Sequence, residues 1–243
     1  MMLEASHYIP ILTTLFALWF APQLFRRWRD RRPAPHLMWW CLGVLVYAAG
    51  TVTESWTTLI GWNPVIFRLW YITGALLGGA PLAQGTAYLL LGRRTANAIT
   101  VVLVTVVAIA SIGVILSPLN LGLVETHRLS GHVLGWTWVR GFSPFINTYA
   151  LLMLAGGALI SAQRYYWQRA DADKIRGNVA IAIGALLPGI GGTATRFGQV
   201  EVLYVTELLG LLLIYVGYRL NTGVVRMVVG TPAGSPAATS PCA

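Results

Sequence analysis

The chain has 243 residues, of which 56% are hydrophobic and 10% are charged, and its mean hydropathy is +0.65. A soluble domain carries about 25% charged residues and could not hide so much apolar surface, so this composition indicates an integral membrane protein. The net charge of +9 does not indicate a nucleic-acid partner, because the basic residues fall mainly in alternate connecting segments. There they act as a topology signal and attract anionic lipid headgroups.

A basic segment, residues 24–36, fixes the predicted orientation of the chain. It holds five arginines and one aspartate between two long apolar runs. Clusters of arginine and lysine stay on the cytoplasmic side of a membrane. We therefore expect the first apolar run to cross inward, the second to cross outward and every later run to alternate. This places the N-terminus outside.

Seven apolar runs, separated by short polar connections, predict an all-α fold, a polytopic seven-transmembrane helix bundle. The third run is rich in small residues that let helices approach closely, and Pro81 is expected to kink it. The fourth run is almost entirely aliphatic and is expected to face lipid. The predicted spans are residues 8–25, 36–53, 68–91, 97–116, 143–163, 178–195 and 200–218.

One membrane domain, residues 1–229, accounts for all of the predicted spans. Residues 230–243 are rich in Pro, Ala, Ser, Gly and Thr, a composition that predicts a disordered C-terminal tail. Because the number of crossings is odd, the C-terminus is expected in the cytoplasm. The expected environment is the lipid bilayer, and the expected location is the bacterial inner (plasma) membrane, as a multi-pass protein.

Ionisable residues near the outer ends of the predicted helices are the strongest candidates for function, since each is costly in a bilayer unless it is paired or wet. Glu207 is the deepest, lying roughly 10 Å of helical rise inside the last span. Because it cannot face lipid cheaply, we expect Arg196 or Arg68 to be its partner. Polar residues at the same level predict an outward-facing polar cavity. The predicted ligand-binding residues are Glu54, Arg68, Tyr71, Arg196 and Glu207.

Two other interpretations of this cluster stay open. The glutamates and arginines could form ion pairs that only hold helix ends together, or they could relay protons. Catalysis is not expected, because the sequence contains no motif such as H-E-x-x-H or G-x-S-x-G. Cys41 and Cys242 are isolated, and no cluster of ligands predicts a metal site or a cofactor.

Three motifs are spread over most of the chain. They are the arginine-rich connection followed by proline and a Trp-containing helix, Phe67-Arg68-Leu-Trp-Tyr71 in the third span, and Arg176-Gly-Asn178-x5-Gly184-Ala-Leu-Leu-Pro188 in the sixth. Together they resemble the seven-transmembrane N-terminal sensor region of some bacterial histidine kinases. The resemblance implies an outward-facing seven-helix receptor. Since no kinase or cyclase domain follows Arg226 in this sequence, it implies a stand-alone module that acts through a partner.

A second motif is local. Phe20-Ala-Pro22-Gln23, followed by the basic segment, resembles the PQ-loop of SWEET-type and lysosomal transporters, which share the N-out, seven-helix topology. The second Pro-Gln pair that this family implies is missing, because Ala162-Gln163 stands in its place. This departure makes transport the weaker of the two interpretations.

The functional prediction is a membrane receptor or sensor-like module with an outward-facing polar cavity, which signals through a partner. Its expected partner is an unknown small ligand or a neighbouring membrane protein. A small-solute transporter of PQ-loop type and a structural subunit of a larger membrane complex are the alternatives.

Overall fold

A computed structural model describes residues 8–125, 128–169 and 171–223, except for the side chain of Arg196. Helices account for most of this part of the chain, and it contains no β-strand. The predicted tail over residues 230–243, with Cys242, lies outside the described residues, as does Arg226.

Seven stretches of the described chain are long and apolar enough to cross a membrane, which confirms the predicted all-α bundle with seven spans. We number them span one to span seven and their helices α1 to α10. Spans three and five are each divided by a π-helical segment. The spans are Ile9–Asp30 (α1), Pro35–Ile60 (α2), Pro64–Leu90 (α3, Pro64–Trp70; π segment, Tyr71–Leu76; α4, Ala80–Leu90), Arg93–Leu116 (α5), Thr137–Trp167 (α6, Thr137–Arg140; α7, Phe142–Leu151; π segment, Leu152–Gly156; α8, Gly157–Trp167), Ala172–Ala194 (α9) and Val200–Asn221 (α10).

The alternating direction of the spans gives the bundle two ends. We call the end where α1 finishes and α2 begins the arginine-rich end, because residues 26–32 lie there. The end where α2 finishes and α10 begins is the glutamate end. Residues 117–136, which join spans four and five at the glutamate end, are called the cap connection.

α2 continues for six residues beyond Glu54, whereas the sequence placed this residue just outside a span. The polar residues that suggested a loop form hydrogen bonds within the helix. For example, Thr57 Oγ1 donates to the Thr53 carbonyl oxygen at 3.0 Å. The helix ends at Gly61, whose φ of 107° is a conformation that favours glycine. Glu54 therefore lies inside a membrane span.

Span three is interrupted near the middle of its small-residue stretch. The π segment Tyr71–Leu76 is followed by a turn, and α4 begins one residue before Pro81. Proline fits the first turn of a helix and not its interior, so the predicted break at this proline is confirmed. The Ala75 carbonyl oxygen accepts hydrogen bonds from Ser143 Oγ at 2.7 Å and from Asn147 Nδ2 at 3.1 Å, which joins the π segment to span five.

Two hydrophobic cores hold the bundle together. One includes Phe20, Leu24 and Val44 and lies toward the arginine-rich end, whereas the other joins Phe67 of span three to Val133 of the cap connection. Span four is the least buried, with 17% of its apolar window inside the protein. This low burial agrees with the prediction that it faces lipid.

α9 and α10 form the most extensive helix pair of the described chain. A Cβ atom on Gly184 would lie 2.6 Å from the Gly210 carbonyl oxygen, and one on Gly210 would lie 2.7 Å from the Gly184 carbonyl oxygen. The two backbones are thus in direct contact. Small residues allow such an approach, and in a bilayer the resulting van der Waals contact is the main source of helix association.

Gly184→Ala is therefore expected to lower the free energy of unfolding by about 1–3 kcal/mol, the usual effect of overpacking a close contact. Gly189→Ala is the matched control on the same helix, because a Cβ atom there meets nothing within 4 Å. The measurement is unfolding of both variants in the same detergent. Equal stability of the two variants would show that α9 and α10 do not approach as closely as described.

Candidate functional site

Glu54 and Trp70 meet because the turn between α2 and α3 returns the chain to the same depth. Each residue lies six positions from its end of the turn, or about 9 Å of helical rise. Asn63 caps α3, since its side chain accepts from the Val65 backbone N–H at 2.8 Å. Trp70 Nε1 then donates to Glu54 Oε1 at 3.0 Å, and Glu54 is only 4% exposed.

Glu207 approaches the same point from span seven. It lies seven residues after Val200, or about 10 Å along α10, the depth that the sequence predicts. Its carboxyl group is in contact with that of Glu54. Tyr47 holds α10 beside α2, because its hydroxyl donates to the Glu207 carbonyl oxygen at 3.1 Å. We call Glu54 and Glu207 the glutamate pair.

The glutamate pair is buried and incompletely satisfied. The Oε2 atom of each residue is buried and has no hydrogen-bond partner within the part of the chain that the structure describes. Among the described residues, the ion pairs join Arg29 to Asp30, Arg128 to Glu125 and Arg176 to Asp173. The glutamate pair therefore takes part in none of them.

Arg68 does not pair with a glutamate, so the expectation that it partners Glu207 is wrong. Its Nε donates to the Val114 carbonyl oxygen at 3.3 Å, and its Nη2 donates to the Ser117 carbonyl oxygen at 3.1 Å. The last carbonyl groups of a helix have no partner within the helix and attract cations. Arg68 satisfies this demand at the end of α5 and links span three to span four.

Tyr71 is buried against the underside of the cap connection. A Cβ atom on Gly131 would lie 3.1 Å from Tyr71 Cε2, and the Tyr71 ring centroid lies 6.0 Å from that of Trp70. Tyr71 thus positions the cap connection beside the residue that binds Glu54. The backbone of Arg196 lies in a 3-10 turn, Thr195–Phe197, just before α10. The predicted contact of its side chain with Glu207 lies outside the described residues.

The two ends of the cap connection are joined by backbone hydrogen bonds at the glutamate end. Asn120 N donates to the Val133 carbonyl oxygen at 2.8 Å, and Gly135 N donates to the Pro118 carbonyl oxygen at 2.9 Å. Arg128 of this connection lies within electrostatic range of Tyr204, which in turn lies within range of both members of the glutamate pair. Of the other predicted ligand residues, Arg68 and Tyr71 belong to span three and contact residues 117 and 131 of the cap connection, not the glutamate pair.

The chain was compared with protein families, with curated proteins and with solved structures. No family model, curated protein or solved structure matches the chain. The resemblances to kinase sensor regions and to PQ-loop transporters therefore stay predictions based on short motifs.

A cavity of about 280 Å³ lies at the arginine-rich end, a feature that the sequence interpretation missed. Its lining residues come from every span except span four, so it lies within the bundle. Arg31, after the end of α1, and His36, at the start of α2, line it together with the buried Val44 and Leu82. A signal for it exists in the sequence, because residues 20, 24 and 27 share one face of α1 and Arg31 follows directly after this helix.

Proposed function

We propose that this protein is a receptor-like membrane module whose helix packing responds to a small cation bound by the glutamate pair. Seven apolar spans make it a multi-pass membrane protein. The proposal depends on one observation: Glu54 and Glu207, on different spans, are in contact, and the structure pairs neither with a cationic side chain among the described residues. Ionisable groups within a bilayer are rare and mark ion, proton or ligand sites.

Electrostatic repulsion explains why such a pair would respond to a cation. Two unit charges of the same sign repel by about 4 kcal/mol at a separation of about 4 Å and an effective dielectric constant of about 20. A proton or a cation between the carboxyl groups removes this repulsion. The bound state therefore favours close approach of spans two and seven, and the empty state favours their separation.

The surroundings of the pair favour a small amine over a metal ion. The indole of Trp70 donates to Glu54, and the buried phenol of Tyr204 lies within electrostatic range of both carboxyl groups. Aromatic rings attract organic ammonium groups, and carboxylates supply the acceptors for their N–H donors. We therefore expect a primary amine of a few carbon atoms, with a proton as the smallest occupant.

A ligand bound at the glutamate pair can affect the packing of the rest of the bundle through span three. Trp70 joins Glu54 to span three immediately before the π segment Tyr71–Leu76. π-Helical turns often mark functional positions, and interrupted helices can adopt alternative packings. A ligand that prefers one packing shifts the population toward it. The connections at the arginine-rich end would then report the change to a partner protein.

The arginine clusters support a cytoplasmic location for the arginine-rich end, because basic connections are retained on that side. The glutamate end, with its cap connection, would then face the outside of a bacterial inner membrane. The function we infer involves no catalysis, and it fits the sensor-like interpretation of the three sequence motifs.

The test is a thermal unfolding series of the full chain in phosphatidylcholine nanodiscs. Ethylammonium chloride is expected to raise the Tm of the wild type progressively, whereas sodium chloride at equal ionic strength is not. Glu54→Gln and Glu207→Gln should lose this shift. Glu201→Gln, the same change near the start of α10, should keep it. Equal shifts in all four proteins would overturn the proposal.

A second candidate is small-solute transport, which is favoured by the cavity that extends inward from the arginine-rich end. The charge of the cavity argues against a cationic solute, because Arg27 and Arg31 line it and no acidic residue does among those that the structure describes. Counterflow of a radiolabelled solute in liposomes would distinguish this candidate, since a receptor gives no counterflow.

A further inference from the structure

We infer that the cavity at the arginine-rich end binds an anionic amphiphile, a molecule with one phosphate or carboxylate head and a short apolar tail. This inference is independent of the glutamate pair, which lies toward the other end of the bundle. It depends on the separation of charged and apolar residues along the walls of the cavity.

The mouth of the cavity is cationic. Arg27 and Arg31 are the charged residues among those that line it, and the neutral polar residues there include Asn178 and Asn221. The Arg27 guanidinium lies 5.6 Å from the centroid of the Tyr218 ring, which also lines the cavity. The contact with this aromatic ring keeps the cation at the wall of the cavity, where a guanidinium can form bidentate hydrogen bonds to a phosphate or carboxylate.

The interior of the cavity is apolar. Phe20 and Leu24 lie on the same face of α1 as Arg27, and Phe20 is seven residues from Arg27, or about 10 Å along the helix. Leu82 and Leu154 face them from spans three and five. A ligand whose head is held by the arginines would therefore place its tail among aliphatic and aromatic side chains.

The size of the cavity restricts the ligand to a short chain. Its volume of about 280 Å³ is just below the range of about 300–1,000 Å³ that is usual for drug-sized ligands. Because all spans but span four contribute to its walls, the cavity is a site inside the bundle and not a groove on the lipid-facing surface. Inorganic phosphate alone would leave the apolar part of the cavity empty.

The test uses octyl phosphate as the probe and the full chain in phosphatidylcholine nanodiscs. Octyl phosphate is expected to raise the Tm of the wild type, whereas octyltrimethylammonium, with the same tail and the opposite charge, is not. Inorganic phosphate should give less than a tenth of the octyl phosphate shift. An equal shift with either comparison compound would overturn the inference, because it would show that charge or tail is not recognised.

Two pairs of substitutions distinguish binding by the arginines of the cavity from a general attraction of anions to the basic residues at this end. Arg27→Gln with Arg31→Gln should weaken octyl phosphate binding at least tenfold. Arg26→Gln with Arg29→Gln is the matched control, since these exposed residues lie on the same helix and do not line the cavity. Equal weakening by both pairs would overturn the inference.

A cavity-filling variant tests the apolar part while the arginines stay in place. Ser161→Phe, at a position that lines the cavity, should abolish the octyl phosphate shift, and an unchanged shift would overturn the inference. A second experiment, with nanodiscs that contain phosphatidylglycerol, distinguishes a membrane lipid from a free amphiphile as the natural ligand. If this lipid already raises the wild-type Tm and blocks octyl phosphate, the ligand is a membrane lipid, and if it does neither, the ligand is a free amphiphile.

Discussion

Phe67→Ala is expected to lower the free energy of unfolding by about 3–5 kcal/mol, the usual range for truncating a fully buried aromatic residue. Phe67 is completely buried, and its ring centroid lies 5.9 Å from that of Trp62 and 6.0 Å from that of Trp70. Truncation would leave a cavity beneath the cap connection. It would also remove a support of Trp70 and so weaken the hydrogen bond from its Nε1 to Glu54.

Phe145→Ala is the matched control for this substitution. The same side chain is removed there, but Phe145 is 78% exposed on α7. A change of about 0.5 kcal/mol or less is expected at such a position. Both variants should be unfolded in the same nanodiscs and followed by circular dichroism. Comparable losses of stability in the two variants would contradict the core assigned to Phe67.

Glu207→Gln is expected to raise the free energy of unfolding by about 0.5–3 kcal/mol, the range of coupling between directly contacting residues. The amide has nearly the shape of the carboxyl group but carries no charge, and its N–H can donate to Glu54. Glu54→Gln should stabilise by a similar amount, because either change removes one member of a repelling pair. The double variant should gain little more, since the first amide has already relieved the repulsion.

A double-mutant cycle in amine-free buffer measures this non-additivity, with Glu201→Gln as the control that lies outside the pair. The sign of the single effects distinguishes the two interpretations of the cluster. Glutamates that merely hold helices together would destabilise the protein when they are replaced. A loss of stability in both single variants would therefore contradict a repelling pair and favour a structural role.

The number of spans and the depth of Glu207 follow from the sequence, because both depend on distance along the chain, whereas Glu54 was placed just outside its span because the polar residues after it resemble a loop. Apolar runs fix where a helix can cross a membrane, and the helical rise fixes how far Glu207 lies from Val200. The choice of partner depends on rotation about the helix axis. Transmembrane helices are apolar on most of their surface, so the sequence pattern specifies this rotation weakly.

Arg68 illustrates how such a prediction fails. A charge argument pairs it with the nearest acid, but the carbonyl oxygens of Val114 and Ser117 compete for the same donors. These acceptors become visible only when the end of α5 and its position beside span three are known. The cavity at the arginine-rich end was missed for a related reason, since it depends on the joint packing of side chains from nearly every span.

The π segment Tyr71–Leu76 has a consequence for the angular phase of span three. A π-helical turn accommodates one more residue than an α-helical turn, and one residue corresponds to about 100° of rotation in a regular helix. α3, which precedes the segment, is therefore rotated relative to α4 by the angle that corresponds to one residue. A homologous chain with a single deletion here would keep its length in the membrane almost unchanged. It would nevertheless turn α4 by about that angle relative to α3, whose Trp70 is held beside Glu54 by the turn between α2 and α3.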